Sequence, residues 1–226
     1  MKVLGNPKAV NRSLIERVRK IRVEKVVAED FLRLMVRDSV SAKSTILDCG
    51  QSLRNYANAV KENAKSVETL DINEFGNYPD YLVDVCDERG MSFFAGKYDF
   101  VIAFSLLEHV YDPFKASANL FAALKPGGQL IGSAPFLFPR HGPVDLSYQD
   151  FWRFSRDSYA VLFPAASNIT LFPLRGRIST AINVLTLRYR FSFEQRFKKI
   201  SLRTNRLASR NGNELQASGY GFIVNR

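Results

Sequence analysis

Residues 98–136 read YDFVIAFSLLEHVYDPFKASANLFAALKPGGQLIGSAPF, and this stretch decides the fold. An apolar run, Tyr98–Phe104, leads into a helical stretch over 112–125 and then into a second apolar run, Gln129–Phe136. Strands covered on both faces read as near-continuous apolar segments, and a helix between two of them makes a parallel crossover. Lys125-Pro126-Gly127-Gly128 closes the helix, because proline cannot continue it and glycine turns the chain sharply. These four residues are expected to shape the fold and to touch no ligand.

Working outward, the same grammar repeats. Thr45–Cys49 (TILDC), Val67–Asp71 (VETLD) and Tyr81–Val85 (YLVDV) precede the stretch, with a helical pattern over 54–65. Residues 169–174 (ITLFPL) and 218–224 (SGYGFIV) read as two last strands. The expectation is an α/β fold: a doubly wound, mostly parallel, seven-stranded sheet. Ahead of it, Leu14, Val18, Ile21, Val26, Phe31, Leu32 and Met35 fall near helical spacing, with Ser13 and Glu16 as a capping box. Residues 1–40 are therefore expected as an N-terminal helical segment. Residues 41–226 form one domain, with a basic insertion at 175–215 before the last strand.

With 226 residues, 46% hydrophobic and 24% charged, the chain has globular composition, which excludes collagen, a disordered tail and a coiled coil. Its charge is uneven. Lys/Arg against Asp/Glu run ten to five over 1–40, nine to fourteen over 41–150 and thirteen to three over 151–226. The middle suits a cationic ligand and the flanks an anionic partner. No run reaches the roughly 18 apolar residues of a membrane helix, and MKVLGNPKAV has no secretory apolar region. A cytoplasmic protein is expected, and the two cysteines lack metal spacing.

In open α/β sheets ligands bind beyond the carboxyl ends of the strands. Asp48-Cys49-Gly50 ends the first run as a nucleotide-binding turn would, with glycine where the backbone must come close. Asp71 ends the second run 23 residues later, where a carboxylate can accept from ribose hydroxyls. Asp84 ends the third, placed to accept from an adenine amino group.

Tyr98-Asp99-Phe100-Val101, Leu107-Glu108-His109-Val110, Asp112-Pro113, Leu124-Lys125-Pro126-Gly127-Gly128 and Pro135 resemble the fourth and fifth strand region of class I S-adenosylmethionine-dependent methyltransferases. The likeness extends to His141-Gly142-Pro143 and Asp150-Phe151-Trp152-Arg153-Phe154, similar to a subgroup associated with surface glycans and small-molecule biosynthesis. It spans about residues 44–160, roughly half the chain. The resemblance implies a Rossmann-like methyltransferase fold and S-adenosylmethionine as cofactor. Asp48, Gly50, Ser52, Asp71, Ile72, Asp84, Val85, Ser105 and Leu106 would bind that cofactor. The methyl group would pass to an oxygen or nitrogen of a small molecule or glycan precursor, an anionic one if the basic flank faces it.

The glycine loop departs from the family's Asp-x-Gly-x-Gly pattern. Here it reads Asp48-Cys49-Gly50-Gln51-Ser52-Leu53-Arg54-Asn55-Tyr56, with Ser52 at the second glycine. A Cβ at positive φ costs about 1–2 kcal/mol. A methyltransferase-like binding or scaffold protein without activity is therefore an alternative. An RNA methyltransferase is another, since 175–210 is Lys/Arg-rich with the single acid Glu194 and interleaved phenylalanines.

A hydroxyl acceptor must lose a proton, which suits histidine near neutral pH. The chain has two, His141 and His109, and both are candidate catalytic residues. His141 is the stronger base, with Asp145 four residues on as its orienter. Asp145, Trp152 and Arg153 are the candidate substrate residues, an aromatic face and a guanidinium fork. The Trp152–Arg153 run reads equally as an amphipathic anchor holding the loop after the fifth strand onto the core. The pattern asks for no metal. The family's strand order puts one strand between those preceding Cys49 and Cys86. Two strand spacings are about 9.6 Å, beyond the ~7 Å reach of a disulfide, so both thiols are expected reduced.

Overall fold

The computed structural model describes residues 16–17, 22–23, 40–53, 60–142, 148–175, 180–181, 184 and 217–226. Its strands are β1 (Arg22–Val23), β2 (Thr45–Cys49), β3 (Ser66–Asp71), β4 (Tyr81–Leu82), β5 (Tyr98–Phe104), β6 (Leu124–Pro135), β7 (Asn168–Leu174) and β8 (Gly219–Asn225). Between them lie helices α1 (Glu88–Ser92), α2 (Pro113–Ala123) and α3 (Ser158–Leu162), and a 3-10 turn at Leu107–His109. One sheet runs in the order β1-β7-β8-β6-β5-β2-β3-β4. β8 is antiparallel to β6 and β7, and the other pairings are parallel.

The sheet differs from the expected seven strands by one. The addition is β1, whose Arg22 and Val23 pair with Thr170 and Leu171 of β7. The pairing falls within 13–37, where the spacing suggests one or two amphipathic helices. Residues 16–17 are helical, but 22–23 are extended, because the outer edge of β7 offers an unpaired ladder that local spacing does not reveal. The remainder of that segment lies outside the described residues, as do 54–59 of the expected 54–65 helix and most of the 175–215 insertion. Among the described residues no helix is long and apolar enough to cross a membrane.

β5 shows why its run is apolar throughout. Val101 and Ala103 pack into one core cluster, Ile102 and Phe104 into the other, so both faces of the strand are covered. Each such buried aliphatic side chain contributes about 1.5–3 kcal/mol. α2 starts where Asp112 accepts from the backbone N–H groups of Phe114 and Lys115, with Pro113 in the first turn. It stops two residues short of the expected 125, because Leu124 is already paired with Tyr98 at the start of β6. Gly132 in β6 has no room for a side chain: a Cβ would lie 2.4 Å from both the Ala103 carbonyl oxygen and Phe222 Cζ.

β2 lies between β3 and β5, so the chain leaves it in one direction and returns on its other side. Ligand crevices open at such a switch point. The loops after β2 and β5 are neighbours there. Cys49 and Cys86 are both free and buried.

Candidate active site

The loop after β2 is held by its own hydrogen bonds. Asp48, only 4% exposed, accepts from the Leu53 N–H at 3.2 and 3.3 Å through its two carboxylate oxygens. Gly50 has φ +68° and donates its N–H to the Leu70 carbonyl of β3 at 3.0 Å. A Cβ there would stand 3.0 Å from Leu106 Cδ1 on the loop after β5, so backbone and neighbour both select glycine. Within this loop the side-chain-bearing residue in the left-handed region is Gln51, at φ +53°. Its N–H donates to the Tyr78 hydroxyl at 2.6 Å, which offsets the strain. Ser52 acts as a staple: its Oγ donates to the Cys49 carbonyl at 2.6 Å and accepts from the Phe104 N–H at 2.8 Å.

Between these loops lies a cavity of about 1000 Å³, large enough for a nucleoside and a second small molecule. Asp48 and Gly50 after β2, Asp71 and Ile72 after β3, Asp84 and Val85 after β4, and Ser105 and Leu106 after β5 all line it. Ser52 does not. Asp71 accepts from the Asn73 N–H at 2.9 Å and Asp84 from the Cys86 N–H at 2.8 Å. Burial pushes the Asp48 carboxyl up to about 7 and raises Asp71 as well. A cationic ligand in the cavity would favour the ionised form of both acids.

His109 and His141 line the same cavity. Glu108, on the 3-10 turn with His109, is fully buried, and its backbone carbonyl accepts from the Phe151 and Trp152 N–H groups at 2.8 and 3.2 Å. His141 Nε2 lies 3.5 Å and His109 Nε2 3.9 Å from Glu108 Oε1. Those are ion-pair distances, long for hydrogen bonds. Among the described residues neither Glu108 carboxylate oxygen accepts a hydrogen bond. The adjoining Glu108 carboxylate raises the His141 pKa, against the opposing effect of burial.

The predicted substrate residues are placed differently. Asp145 lies outside the described residues, and the acid at His141 is Asp150, whose Oδ2 accepts the His141 backbone N–H at 2.7 Å. Arg153 turns inward. It donates to the Phe138 and Pro139 carbonyls, each at 3.0 Å, and to Asp150 Oδ2 at 2.7 Å. Its guanidinium holds the Asp150 carboxyl down at about 2. Trp152 donates its indole N–H to the Val110 carbonyl at 2.9 Å. Neither Trp152 nor Arg153 lines the cavity. Together they clamp the loop that carries His141 onto the loop that carries Glu108.

Sequence reasoning passed over Glu108, Tyr78 and Tyr148, the last two also lining the cavity. The available signal for Glu108 was its place beside His109, directly after a strand tip. The signal for Tyr78 was an aromatic within the loop that follows the Asp71 strand.

The fold and the cavity define a nucleotide-cofactor α/β domain with its site at the sheet's switch point. A family profile described as a methyltransferase domain matches residues 19–175, and the chain belongs to that family. No curated protein matches the sequence significantly. Among solved structures, a SAM-dependent methyltransferase from Archaeoglobus fulgidus is 14% identical, with 88% of this chain and 93% of that one covered at a TM-score of 0.53. Phosphoethanolamine N-methyltransferase 2 of Haemonchus contortus, solved with S-adenosyl-L-methionine, is 13% identical over 87% of this chain and 52% of that one, at a TM-score of 0.53. A chain of the Haloferax volcanii complex between the Trm112 methyltransferase activator and a methyltransferase is 13% identical, with 96% and 93% covered at a TM-score of 0.55. At these identities the structures share the fold. The expectation of an S-adenosylmethionine-dependent methyltransferase stands. The residues present fit that cofactor: carboxylates at three strand tips suit ribose hydroxyls and positive charge, and the Gly50 turn leaves the backbone bare beside them.

Proposed function

We propose that this enzyme methylates an oxygen or nitrogen of a small molecule or glycan precursor. The cofactor occupies the Asp48–Gly50–Asp71–Asp84 end of the cavity, and the acceptor meets the end formed by His109 and His141, behind which Glu108 is buried. One observation carries the reading: a single cavity of about 1000 Å³ is lined by strand-tip carboxylates and also by both histidines of the chain. When bound, S-adenosylmethionine supplies a sulfonium-activated methyl group, which forms a bond to an acceptor lone pair as the carbon–sulfur bond breaks and its electron pair stays on sulfur. The chain's own task is to align the two reactants, and such alignment is worth about 7–11 kcal/mol of a displacement barrier. Ser105 and Leu106 link the two ends, since the loop that touches Gly50 continues directly into Glu108 and His109.

The roles of the two ends are separable. Asp48, Asp71 and Asp84 attract the positive charge and the hydroxyls of the cofactor. His109 and His141, backed by Glu108, hold the acceptor atom and draw its proton away. Isothermal calorimetry with S-adenosylmethionine tests the first role, and transfer of a labelled methyl group into fractionated small molecules, glycan precursors and RNA tests the second. The expected result is one-to-one binding and label in small molecules or glycan precursors. Absence of binding at millimolar cofactor refutes the enzyme reading, and label in RNA alone refutes the acceptor class.

A further inference from the structure

Glu108, His109 and His141 present a charge arrangement that none of the three explains alone. His109 Nδ1 lies 2.8 Å from the Gln149 carbonyl oxygen. His141 Nδ1 lies 3.3 Å from the Pro139 carbonyl oxygen and 3.6 Å from Asp150 Oδ2. Carbonyl and carboxylate oxygens only accept, so each ring directs an N–H from Nδ1 to them and turns its Nε2 toward Glu108. The two Nε2 atoms converge on Oε1 of a fully buried carboxylate that accepts no hydrogen bond among the described residues. A buried anion facing two imidazole nitrogens calls for positive charge beside it, either a proton on an Nε2 or a metal ion held by all three groups.

We propose that Glu108, His109 and His141 form a binding site for one divalent transition-metal ion on the acceptor wall of the cavity. The donor set, two imidazole nitrogens and one carboxylate, suits a borderline ion such as Zn²⁺, with open positions left toward the acceptor. The donor atoms all lie within 4.8 Å of one another. Metal bonds of about 2.0–2.2 Å bring such donors to roughly 3.5 Å apart, so the set draws in by about an ångström at most. The outer shell is built for this. The Gln149 and Pro139 carbonyls and Asp150 orient the two rings, as outer-shell acceptors orient metal-bound imidazoles. The rings pack edge to face against each other at 5.0 Å between centroids, flanked by Tyr148 at 4.8 Å and Phe138 at 5.2 Å. The ion would act as a Lewis acid on an acceptor hydroxyl, which narrows the acceptor class to oxygen nucleophiles. That role rests on the acceptor end proposed above; the binding of metal does not.

The test uses the full chain, stripped with a chelator and titrated with Co²⁺ and then Zn²⁺. One equivalent is expected, with visible Co²⁺ absorption bands and two downfield-shifted exchangeable imidazole N–H resonances in the proton spectrum, one per Nδ1. Because these are the only histidines in the sequence, both resonances report on this cluster. Glu108→Gln, His109→Gln and His141→Gln are each expected to weaken Zn²⁺ affinity at least a hundredfold, while S-adenosylmethionine affinity by calorimetry changes less than threefold. The proposal is overturned if the wild-type chain shows no shifted imidazole resonance, or binds Zn²⁺ no more tightly than the His109→Gln/His141→Gln double variant. In that event His141 is held protonated against Glu108. Cofactor binding is measured on the same samples, so loss of the metal site and loss of the methyltransferase reading are distinguishable.

Discussion

Asp48→Asn should make the ligand-free protein more stable, and the gain should depend on pH. The Asp48 side chain accepts from the Leu53 N–H and is almost fully buried, so an asparagine oxygen can keep that bond while the charge is removed. Burial moves its pKa from 3.8 to about 7, a difference worth roughly 4 kcal/mol at 1.36 kcal/mol per pH unit. The sign follows from the direction. A carboxyl with a raised native pKa carries no burial penalty below its unfolded pKa. The penalty grows as pH rises through the interval and is complete above about pH 7. At pH 5 the wild type is therefore about 1–2 kcal/mol less stable than the variant, and at pH 8 roughly 4 kcal/mol less. For a chain of this size that gap at pH 8 corresponds to about 10 °C in melting temperature. Thermal melts of both proteins from pH 5 to pH 8, followed by circular dichroism, measure it. The same variant should bind S-adenosylmethionine at least tenfold more weakly, since the buried charge exists to be met by a cation. A melting difference that stays constant across that range would refute the reasoning.

Three further outcomes follow from the same loops. Gly50→Ala should weaken cofactor binding by an order of magnitude and destabilise the fold by about 1–2 kcal/mol, from its positive φ and the 3.0 Å approach to Leu106; calorimetry and chemical denaturation read the two effects. Ser52→Ala removes the acceptor for the Phe104 N–H and should cost about 1–3 kcal/mol in urea denaturation, with cofactor affinity changed less than threefold. Arg153→Ala leaves Asp150, whose side chain is 1% exposed, without its guanidinium and should cost about 3 kcal/mol. The Asp150 contribution is present above its ordinary pKa of 3.8 and is lost as pH falls through about 2. The gap between wild type and Arg153→Ala in denaturation midpoint should therefore shrink from pH 5 toward pH 2.

Much of the architecture was legible because its signal is local. Thr45–Cys49 and Tyr98–Phe104 become strands with the bounds their apolar runs mark, since a strand buried on both faces is written as a continuous run. Asp48, Asp71 and Asp84 reach one cavity because parallel strands bring their carboxyl ends to one edge. What escaped depends on distant partners. β1 exists because β7 has an open side, a fact absent from residues 13–37. Glu108 is buried because the backbone of Phe151 and Trp152, over forty positions later, folds back onto its carbonyl. Arg153 reads equally as a substrate fork or as an anchor until the Phe138 and Pro139 carbonyls and Asp150 come within reach of it. Spacing identifies which residue types recur, and long-range closure decides which way they face.

The two-residue strand at Arg22–Val23 bears on how this protein can be cut. A fragment beginning at residue 41 would discard the partner of Thr170 and Leu171 and strip one margin of the sheet. Bared main-chain donors and acceptors along β7 would then recruit a foreign ribbon from another molecule. Truncations intended to yield a minimal catalytic unit should begin no later than Arg22, or they are expected to yield oligomers.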